Sequence, residues 1–73
     1  MTREEFFTEL ASLAEAPIAI TGTENLKEQG WWDSTAVLGF IAFADSAFGK
    51  VLSIDALASA TTANDLYALV TNA

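Results

Sequence analysis

Two aspartate–serine pairs, Asp33-Ser34 and Asp45-Ser46, are the residues of this chain whose types and spacing suit covalent chemistry. A serine hydroxyl can be esterified, and a carboxylate beside it can cap a helix. The chain has no cysteine and no histidine, so it lacks a thiolate nucleophile, the commonest general base and the commonest metal ligand. We therefore expect no triad catalysis, no resident metal and no enzymatic activity of its own.

Length and charge limit the partners. The 73 residues suffice for one domain, residues 1–73, and 52% of them are hydrophobic, so the chain is not a disordered acidic tail. Ten acidic residues against three basic ones give a net charge of −7. Phosphate contacts require a basic patch, so we expect no nucleic-acid partner and instead expect basic surfaces on other proteins.

Apolar runs are all much shorter than the ~20 residues that cross a bilayer. The first residues, MTREEFF, do not resemble a signal peptide. We therefore expect a cytoplasmic monomer without a membrane span. The glutamates of the first thirty residues are interpreted as a solvated surface rather than as catalytic pairs: Glu4, Glu5, Glu9, Glu15, Glu24 and Glu28.

Helical periodicity predicts an all-α fold with three main helices, one short helix and a long first loop. Thr2 and Glu5 have the spacing of a capping box and open a helix from about Arg3 to Ala14, which we expect Pro17 to end. Residues 15–32 show no sustained period and form the loop. Its expected packing anchors are Ile18, Ile20 and Leu26, with Trp31 and Trp32 covering it, one packed and one partly exposed.

The second helix is predicted from Ser34 to Phe48, with Asp33 as its N-cap and Gly49 as its left-handed C-cap. Its core stripe is predicted to contain Leu38, Ile41, Ala44 and Phe48, with Val37, Phe40 and Ala47 beside it. Its outward positions are predicted to be Thr35, Ala36, Gly39, Ala42, Phe43 and Ser46.

The C-terminal third is predicted to hold a connector and two helices. Residues 50–54 form the connector, and 55–60 form a short helix capped by Asp55. Thr61 or Thr62 then caps the last helix, with Asp65 placed for a capping box. The face of this helix that points to the core is predicted to contain Leu66, Leu69 and Val70.

The two Asp-Ser pairs differ in their setting. Ser34 begins a helix, where free backbone N–H groups and the positive end of the helix dipole favour an anion. Ser46 lies within the same helix, where neighbouring amides already have partners, so we interpret it as solvated helix surface. Taken alone, Asp33-Ser34 also fits an ordinary N-cap followed by a helical serine.

The chain as a whole resembles the acyl carrier protein family. Trp32-Asp33-Ser34-Thr35 is similar to that family's Asp-Ser-Leu motif at the start of its second helix. ATTANDLYALV (residues 60–70) resembles the Ile-Thr-Thr start of the family's last helix, and TENLKEQGWWDS (residues 23–34) resembles its loop approach to the modified serine. The resemblance implies a small four-helix bundle.

The resemblance also implies that Ser34 receives 4′-phosphopantetheine from coenzyme A and carries an acyl group on it as a thioester. It implies that Asp33 helps to hold magnesium during that transfer. The partners would be a phosphopantetheinyl transferase and the enzymes that load and process acyl groups in fatty-acid, lipid or polyketide synthesis. An acyl chain in such a bundle would slip between core side chains, for which the candidates are Leu38, Ile41, Ala44 and Phe48.

Three departures from the family pattern indicate a specialised stand-alone carrier. Thr35 stands where leucine is most usual, Asp45 is the only acid of the second helix, and paired tryptophans precede the motif. Without an acidic stripe on this helix, we expect partners to use small and apolar contacts. The candidate docking residues are Thr35, Gly39, Ala42, Trp31 and Trp32.

Two other functions remain open at the level of sequence. A peptidyl or aminoacyl carrier, loaded by an adenylating enzyme, would have the same fold and the same modified serine. A small helical adaptor would instead bind a partner through Trp31 and Trp32 without covalent chemistry. Modification of Ser34 separates both carriers from the adaptor.

Overall fold

The computed structural model describes residues 1–71 and forms an all-α four-helix bundle with a long first loop, as predicted. The helices are α1 (Arg3–Ala14), α2 (Ser34–Phe48), α3 (Ile54–Ala58) and α4 (Ala63–Thr71). The loop between α1 and α2 contains a 3-10 turn, Leu26–Glu28, that was not predicted. No helix within residues 1–71 is both long enough and apolar enough to cross a membrane.

Helix α1 begins at the predicted capping box. The Thr2 hydroxyl accepts a hydrogen bond from the Glu5 amide (3.1 Å), and the Glu5 carboxylate accepts one from the Thr2 amide (2.8 Å). The helix ends at Ala14, before Pro17, because Glu15 adopts a left-handed conformation (φ 53°) and its amide turns back to the Ser12 carbonyl (3.2 Å). The bounds are confirmed, but Pro17 is not the residue that stops the helix.

The core is organised around the fully buried ring of Phe6. Its centroid lies 5.0–6.1 Å from the centroids of five other aromatic rings, which come from α1, α2 and α4: Phe7, Phe40, Phe43, Phe48 and Tyr67. Tilted and edge-to-face pairs at such distances add stability beyond the area they bury. One side chain of α1 therefore holds three of the four helices together.

The buried face of α2 differs from the predicted stripe. The residues that the structure buries are Ala36, Phe40 and Ala44, so of the predicted four only Ala44 is fully buried. Leu38 is 59% exposed, and Ile41 and Phe48 are half-buried at the edges of the core. The predictions that Leu38 faces inward, and that Ala36 and Phe43 face outward, are wrong. This helix is apolar on nearly every side, so periodicity alone could not orient it.

The long loop packs through two of its three predicted anchors. Ile20 and Leu26 are buried, whereas Ile18 is 45% exposed and the prediction for it is wrong. Ile18 lies before Gly22, where the hydrogen bonds between the loop and α4 begin, so the bundle does not cover it. Trp31 and Trp32 are both half-buried and both pack against the core, so neither is the more exposed member that we expected.

Backbone hydrogen bonds attach this loop to the start of α4. They run from Leu26 N to Thr61 O (2.8 Å), from Ala63 N to Glu24 O (3.3 Å) and from Asn64 N to Gly22 O (2.8 Å). The loop carbonyls thereby satisfy amides of the first turn of α4, which have no intrahelical partner. Asn25 and Thr62 form an isolated antiparallel bridge within the same contact.

Gly22 lies at the tightest point of this attachment. Its φ of +114° is a conformation that side-chain-bearing residues rarely adopt, and a Cβ there would overlap the side chains of Asn64 and Arg3. The Arg3 guanidinium donates to the Asn64 side chain and to the Thr21 carbonyl (3.2 Å), and it also lies 4.6 Å from the centroid of the Phe7 ring. Arg3 thus connects α1, the loop and α4.

The last two helices begin at hydroxyl caps. Ser53, not Asp55, caps α3, because its hydroxyl accepts from the Ala56 amide (3.1 Å) while Asp55 lies inside the first turn. At α4 the predicted capping box is present: the Asp65 carboxylate accepts from the Thr62 amide (3.0 Å), and the Thr62 hydroxyl accepts from the Asp65 amide (3.4 Å). Of the predicted core face, Leu66 and Val70 are buried and Leu69 is half-buried.

We predict that Phe6→Ala lowers the free energy of unfolding by about 3–5 kcal/mol, because it removes a buried ring and leaves a cavity among its aromatic neighbours. Val51→Ala is the control, since Val51 is 88% exposed and the change should stay within about 0.5 kcal/mol. Urea unfolding followed by circular dichroism measures both. Equal losses in the two variants would contradict the packing described.

Candidate functional site

Ser34 is the first residue of α2, and its side chain is exposed. The residue before it, Asp33, is extended (φ −106°, ψ −174°) and caps the helix as predicted: its Oδ1 accepts from the Ala36 amide (2.9 Å). Its carbonyl accepts the first intrahelical bond, from the Val37 amide (3.0 Å). The cap therefore fixes where α2 begins and makes Ser34 the first residue inside the helix.

Backbone amides remain open beside the Ser34 hydroxyl. Within residues 1–71, the amides of Ser34 and Thr35 have no hydrogen-bond partner, since Asp33 uses its side chain on Ala36 and its carbonyl on Val37. These amides lie at the positive end of a 15-residue helix. The arrangement favours a phosphate group attached at this hydroxyl, because unbonded amides and the helix dipole both stabilise an anion.

The second Asp-Ser pair lies within α2, as predicted. Asp45 and Ser46 are exposed, and the Asp45 carbonyl accepts from the Gly49 amide (3.0 Å) at the left-handed C-cap. The pair is therefore next to the C-terminal end of the helix, where the dipole disfavours an anion. Of the two serines, only Ser34 combines exposure with an electrostatic setting suited to phosphate.

The tryptophan pair supports the segment that enters the cap. The Trp32 ring packs edge-on against Phe40 (centroids 6.0 Å apart), and the Trp31 ring packs edge-on against Trp32 (6.4 Å). The Trp31 indole N–H donates to the Gln29 side chain (3.1 Å), and the Trp32 amide donates to the Gln29 carbonyl (3.2 Å). The backbone just before Asp33 is thereby held against the core.

Glu24 stabilises the loop further upstream, a role that was not predicted. Its carboxylate accepts from the Thr21 and Gly22 amides (both 2.8 Å) and from the Thr21 hydroxyl (3.0 Å), so Glu24 is not a solvated surface residue. Partial burial raises the pKa of this carboxyl, but the hydrogen bonds outweigh it and lower the pKa overall. The Thr21-x-x-Glu24 spacing, which is also that of a capping box, is the signal that could have revealed it.

The candidate docking residues occupy different environments. Thr35 and Ala42 are exposed on α2, and Leu38 lies between them at helical spacing on the same open face. Gly39 is half-buried, and a Cβ there would lie 3.7 Å from a methyl group of Leu13, so it faces α1 rather than the open side. The open face of α2 therefore includes Leu38, which was predicted to be core, and excludes Gly39.

A cavity of about 410 Å³ lies near the start of α2 but does not involve the predicted pocket residues. Its lining consists of Leu26, Lys27, Trp32, Val37, Ile54, Leu57, Ala58 and Ala60. None of Leu38, Ile41, Ala44 and Phe48 contributes to it. The walls come from the 3-10 turn, the approach to α2 and the α3 region, which periodicity within α2 could not bring together.

Metal-ligating groups are dispersed over the surface. In the part of the chain that the structure describes, no three carboxylates are grouped so that they could hold a metal ion.

A scan against protein-family models, a search of curated proteins and a search of solved structures each found no match to this chain.

We predict that Asp33→Ala destabilises the protein by about 1 kcal/mol, because the Ala36 amide loses its acceptor at the start of α2. Asp45→Ala is the matched control: it removes the same side chain from the same helix but no cap, and should change stability by less than about 0.5 kcal/mol. Urea unfolding followed by circular dichroism compares the two. A larger loss for Asp45→Ala would contradict the assigned cap.

We predict that Glu24→Gln lowers the free energy of unfolding at pH 7 by about 1 kcal/mol, because a neutral amide accepts the loop hydrogen bonds more weakly. The pKa of Glu24 is lowered in the folded state, so its contribution is complete above the ordinary value of 4.5 and is lost as pH falls through the folded value. The difference from wild type should therefore shrink below pH 4.5.

Urea titrations between pH 7 and pH 3 measure this difference, with the exposed Glu9→Gln of α1 as the control for loss of one charge. If the deficit of Glu24→Gln stayed constant across this range, or if Glu9→Gln reproduced it, the loop brace would not be the cause.

Proposed function

We propose that this chain is a carrier protein that holds an acyl group as a thioester on 4′-phosphopantetheine esterified to Ser34. The observation that carries the proposal is the position of the Ser34 hydroxyl, which is exposed at the first residue of α2 beside two amides that have no hydrogen-bond partner within residues 1–71. The resemblance of residues 23–34 and 60–70 to the acyl carrier proteins also supports it. In this proposal the chain catalyses nothing and acts as a substrate of other enzymes.

The residues around Ser34 fit the attached group. An exposed hydroxyl is accessible to a transferase, and the amides of Ser34 and Thr35 stabilise the phosphodiester once it has formed. The group would supply the thiol that a chain without cysteine lacks. The Ser34 oxygen would attack the phosphorus that bears the pantetheine arm of coenzyme A. The pyrophosphate P–O bond on the other side of that phosphorus breaks, adenosine 3′,5′-bisphosphate leaves, and the transferase supplies the base that takes the serine proton.

Asp33 can serve the helix and the transferase together. Its Oδ1 accepts a hydrogen bond from the Ala36 amide, whereas its Oδ2 has no hydrogen-bond partner within residues 1–71. The side chain is exposed, so this second oxygen faces the medium from which the transferase approaches. We propose that it contributes to magnesium binding in the complex with the transferase, because Mg²⁺ prefers carboxylate oxygens and is commonly bound by one or two of them.

The open face of α2 is the proposed docking surface for acyl-processing enzymes. Thr35, Leu38 and Ala42 follow Ser34 along this face, and Asp45 is the one acid of the helix. An exposed leucine on such a face indicates apolar contacts rather than an acidic stripe. The net charge of −7 would still steer basic partners to the protein. We propose that it acts as a monomer in the cytoplasm.

The same surface suits a peptidyl or aminoacyl carrier. Helix α2 has one acidic residue, Asp45, and so does not present the acidic stripe that favours acyl partners. The adaptor alternative draws less support, since the Trp31 and Trp32 rings pack against Phe40 and each other and are both half-buried. We therefore retain the aminoacyl carrier as the second candidate and the adaptor as the outcome if Ser34 cannot be modified.

Incubation of the protein with coenzyme A, magnesium and a promiscuous phosphopantetheinyl transferase should add one phosphopantetheine, measured as intact mass. Ser34→Ala should abolish the gain because the nucleophilic oxygen is removed. Ser46→Ala, in the second Asp-Ser pair of the same helix, should gain the full mass. The modified protein is then incubated with enzymes that load acyl groups or with adenylating enzymes that load amino acids. The enzyme that loads it separates an acyl carrier from a peptidyl or aminoacyl carrier.

Circular dichroism of both serine variants shows whether each retains the helical fold, so that a loss of modification in Ser34→Ala is assigned to the hydroxyl. Unchanged mass of the wild type, under conditions in which a known carrier is fully modified, would refute the carrier function. A gain that survives Ser34→Ala would refute the assigned site.

A further inference from the structure

Gln29 forms three hydrogen bonds within the segment that leads to Ser34. Its amide donates to the Leu26 carbonyl (3.2 Å) at the end of the 3-10 turn, and its carbonyl accepts from the Trp32 amide (3.2 Å) to close the following turn. Its side-chain oxygen accepts from the Trp31 indole N–H (3.1 Å). Gln29 is half-buried, and it joins the attached part of the loop to the residues just before the cap of α2.

The turn of residues 29–32 lies at the surface. Gly30 is exposed, and a Cβ built on it would meet no atom within 4 Å. The next two residues along the chain from Trp32, Asp33 and Ser34, are exposed as well. Exposed segments with few buried contacts open locally at a small cost in free energy. A single hydrogen bond in such a turn therefore changes the fraction of molecules in which the turn is closed.

The side chain of Gln29 acts on this turn through the tryptophan pair. By accepting from the Trp31 indole it fixes the Trp31 ring, which packs edge-on against Trp32 with centroids 6.4 Å apart. The Trp32 ring in turn packs against Phe40 of α2 (6.0 Å), and Trp32 directly precedes the Asp33 cap. The closed turn thus presents the cap and the exposed serine after it in one fixed geometry.

We propose that Gln29 is a positioning residue for the modification of Ser34, acting through Trp31 rather than by contact with coenzyme A. This role rests on the proposed carrier function. The transferase binds the closed turn, so its apparent affinity for the protein falls with the fraction of molecules that are closed. Loss of the side-chain hydrogen bond therefore raises the KM for the protein and leaves kcat unchanged, because the same closed form reacts in the complex.

The test is steady-state kinetics of a promiscuous phosphopantetheinyl transferase, with the protein concentration varied and coenzyme A saturating. Gln29→Met removes the acceptor at similar side-chain length and should raise KM about two- to fivefold, within the range that one hydrogen bond supplies. Gln29→Glu retains an acceptor and should keep the wild-type KM. Glu28→Met, the same replacement at the exposed neighbour, should keep it too. About 0.3 M salt screens the changes of charge.

Two further variants test the route through the turn. Trp31→Phe removes the donor and should raise KM as Gln29→Met does, and the double variant should add nothing, because both changes break one bond. Gly30→Ala acts in the opposite direction. Its φ lies outside the left-handed range and a Cβ has space, so alanine fits the closed turn and restricts the open one. Added to Gln29→Met, it should lower KM about two- to fivefold.

Hydrogen exchange measured by nuclear magnetic resonance gives a readout that does not need the transferase. The Trp31 indole N–H should exchange faster with water in Gln29→Met than in wild type, because the bond that protects it is lost. Gln29→Glu should restore the slow exchange. Circular dichroism of each variant shows whether the helical fold is retained, so that a change in KM is assigned to the turn.

The outcomes separate this role from the carrier function. Equal KM for wild type and Gln29→Met, or a loss that falls on kcat alone, would overturn the positioning role and leave the modification of Ser34 standing. A KM raised as much by Gln29→Glu as by Gln29→Met would overturn it as well, because the acceptor would not be the cause. Unmodified wild type, beside a known carrier that is modified, would refute the carrier function and this role together.

Discussion

The attachment of the first loop to the start of α4 is the constraint on which the rest of the structure depends. Glu24 and Gly22 give their carbonyls to amides of α4, and Leu26 gives its amide to the Thr61 carbonyl. These bonds join segments about forty residues apart and satisfy polar groups that would otherwise be buried without partners. They add constraints to a 73-residue chain, which is small and has no disulfide. The loop is therefore as much a structural element as the helices.

The site follows from this attachment in a continuous series of contacts. Once the loop lies along α4, Leu26 enters the core and the 3-10 turn directs the chain toward Gln29. Gln29 then holds both tryptophans, and Trp32 rests on Phe40 of α2. The same turn and the same tryptophan form one wall of the apolar cavity. The approach to Ser34 and the shape of the cavity are thus determined by one segment, and a change in the loop would alter both.

Local signals in the sequence were sufficient to predict the bounds of α1 and α2, because caps act over three or four residues. Thr2, Asp33 and Gly49 each have the predicted role, and α1 and α2 have the predicted ends. The orientation of α2 was not predictable, since apolar residues surround it and only the ring contacts of Phe40 fix which side is buried. The cap of α3 was misplaced by two residues because Ser53 and Asp55 are both good caps. The cavity depends on long-range contacts that no local pattern encodes.

The residue at which α2 begins also decides the direction in which Ser34 points. Each residue of an α-helix is rotated by about 100° from the one before it, so fixing the first residue fixes the bearing of every later one around the axis. Ser34 points to solvent at this bearing, whereas two residues later Ala36 is only 2% exposed. A hydroxyl moved by two positions would be enclosed in the core. Accessibility at this site therefore depends on two separate constraints: the Asp33 cap fixes the residue at which α2 begins, and the ring contacts of Phe40 fix which side of the helix is buried.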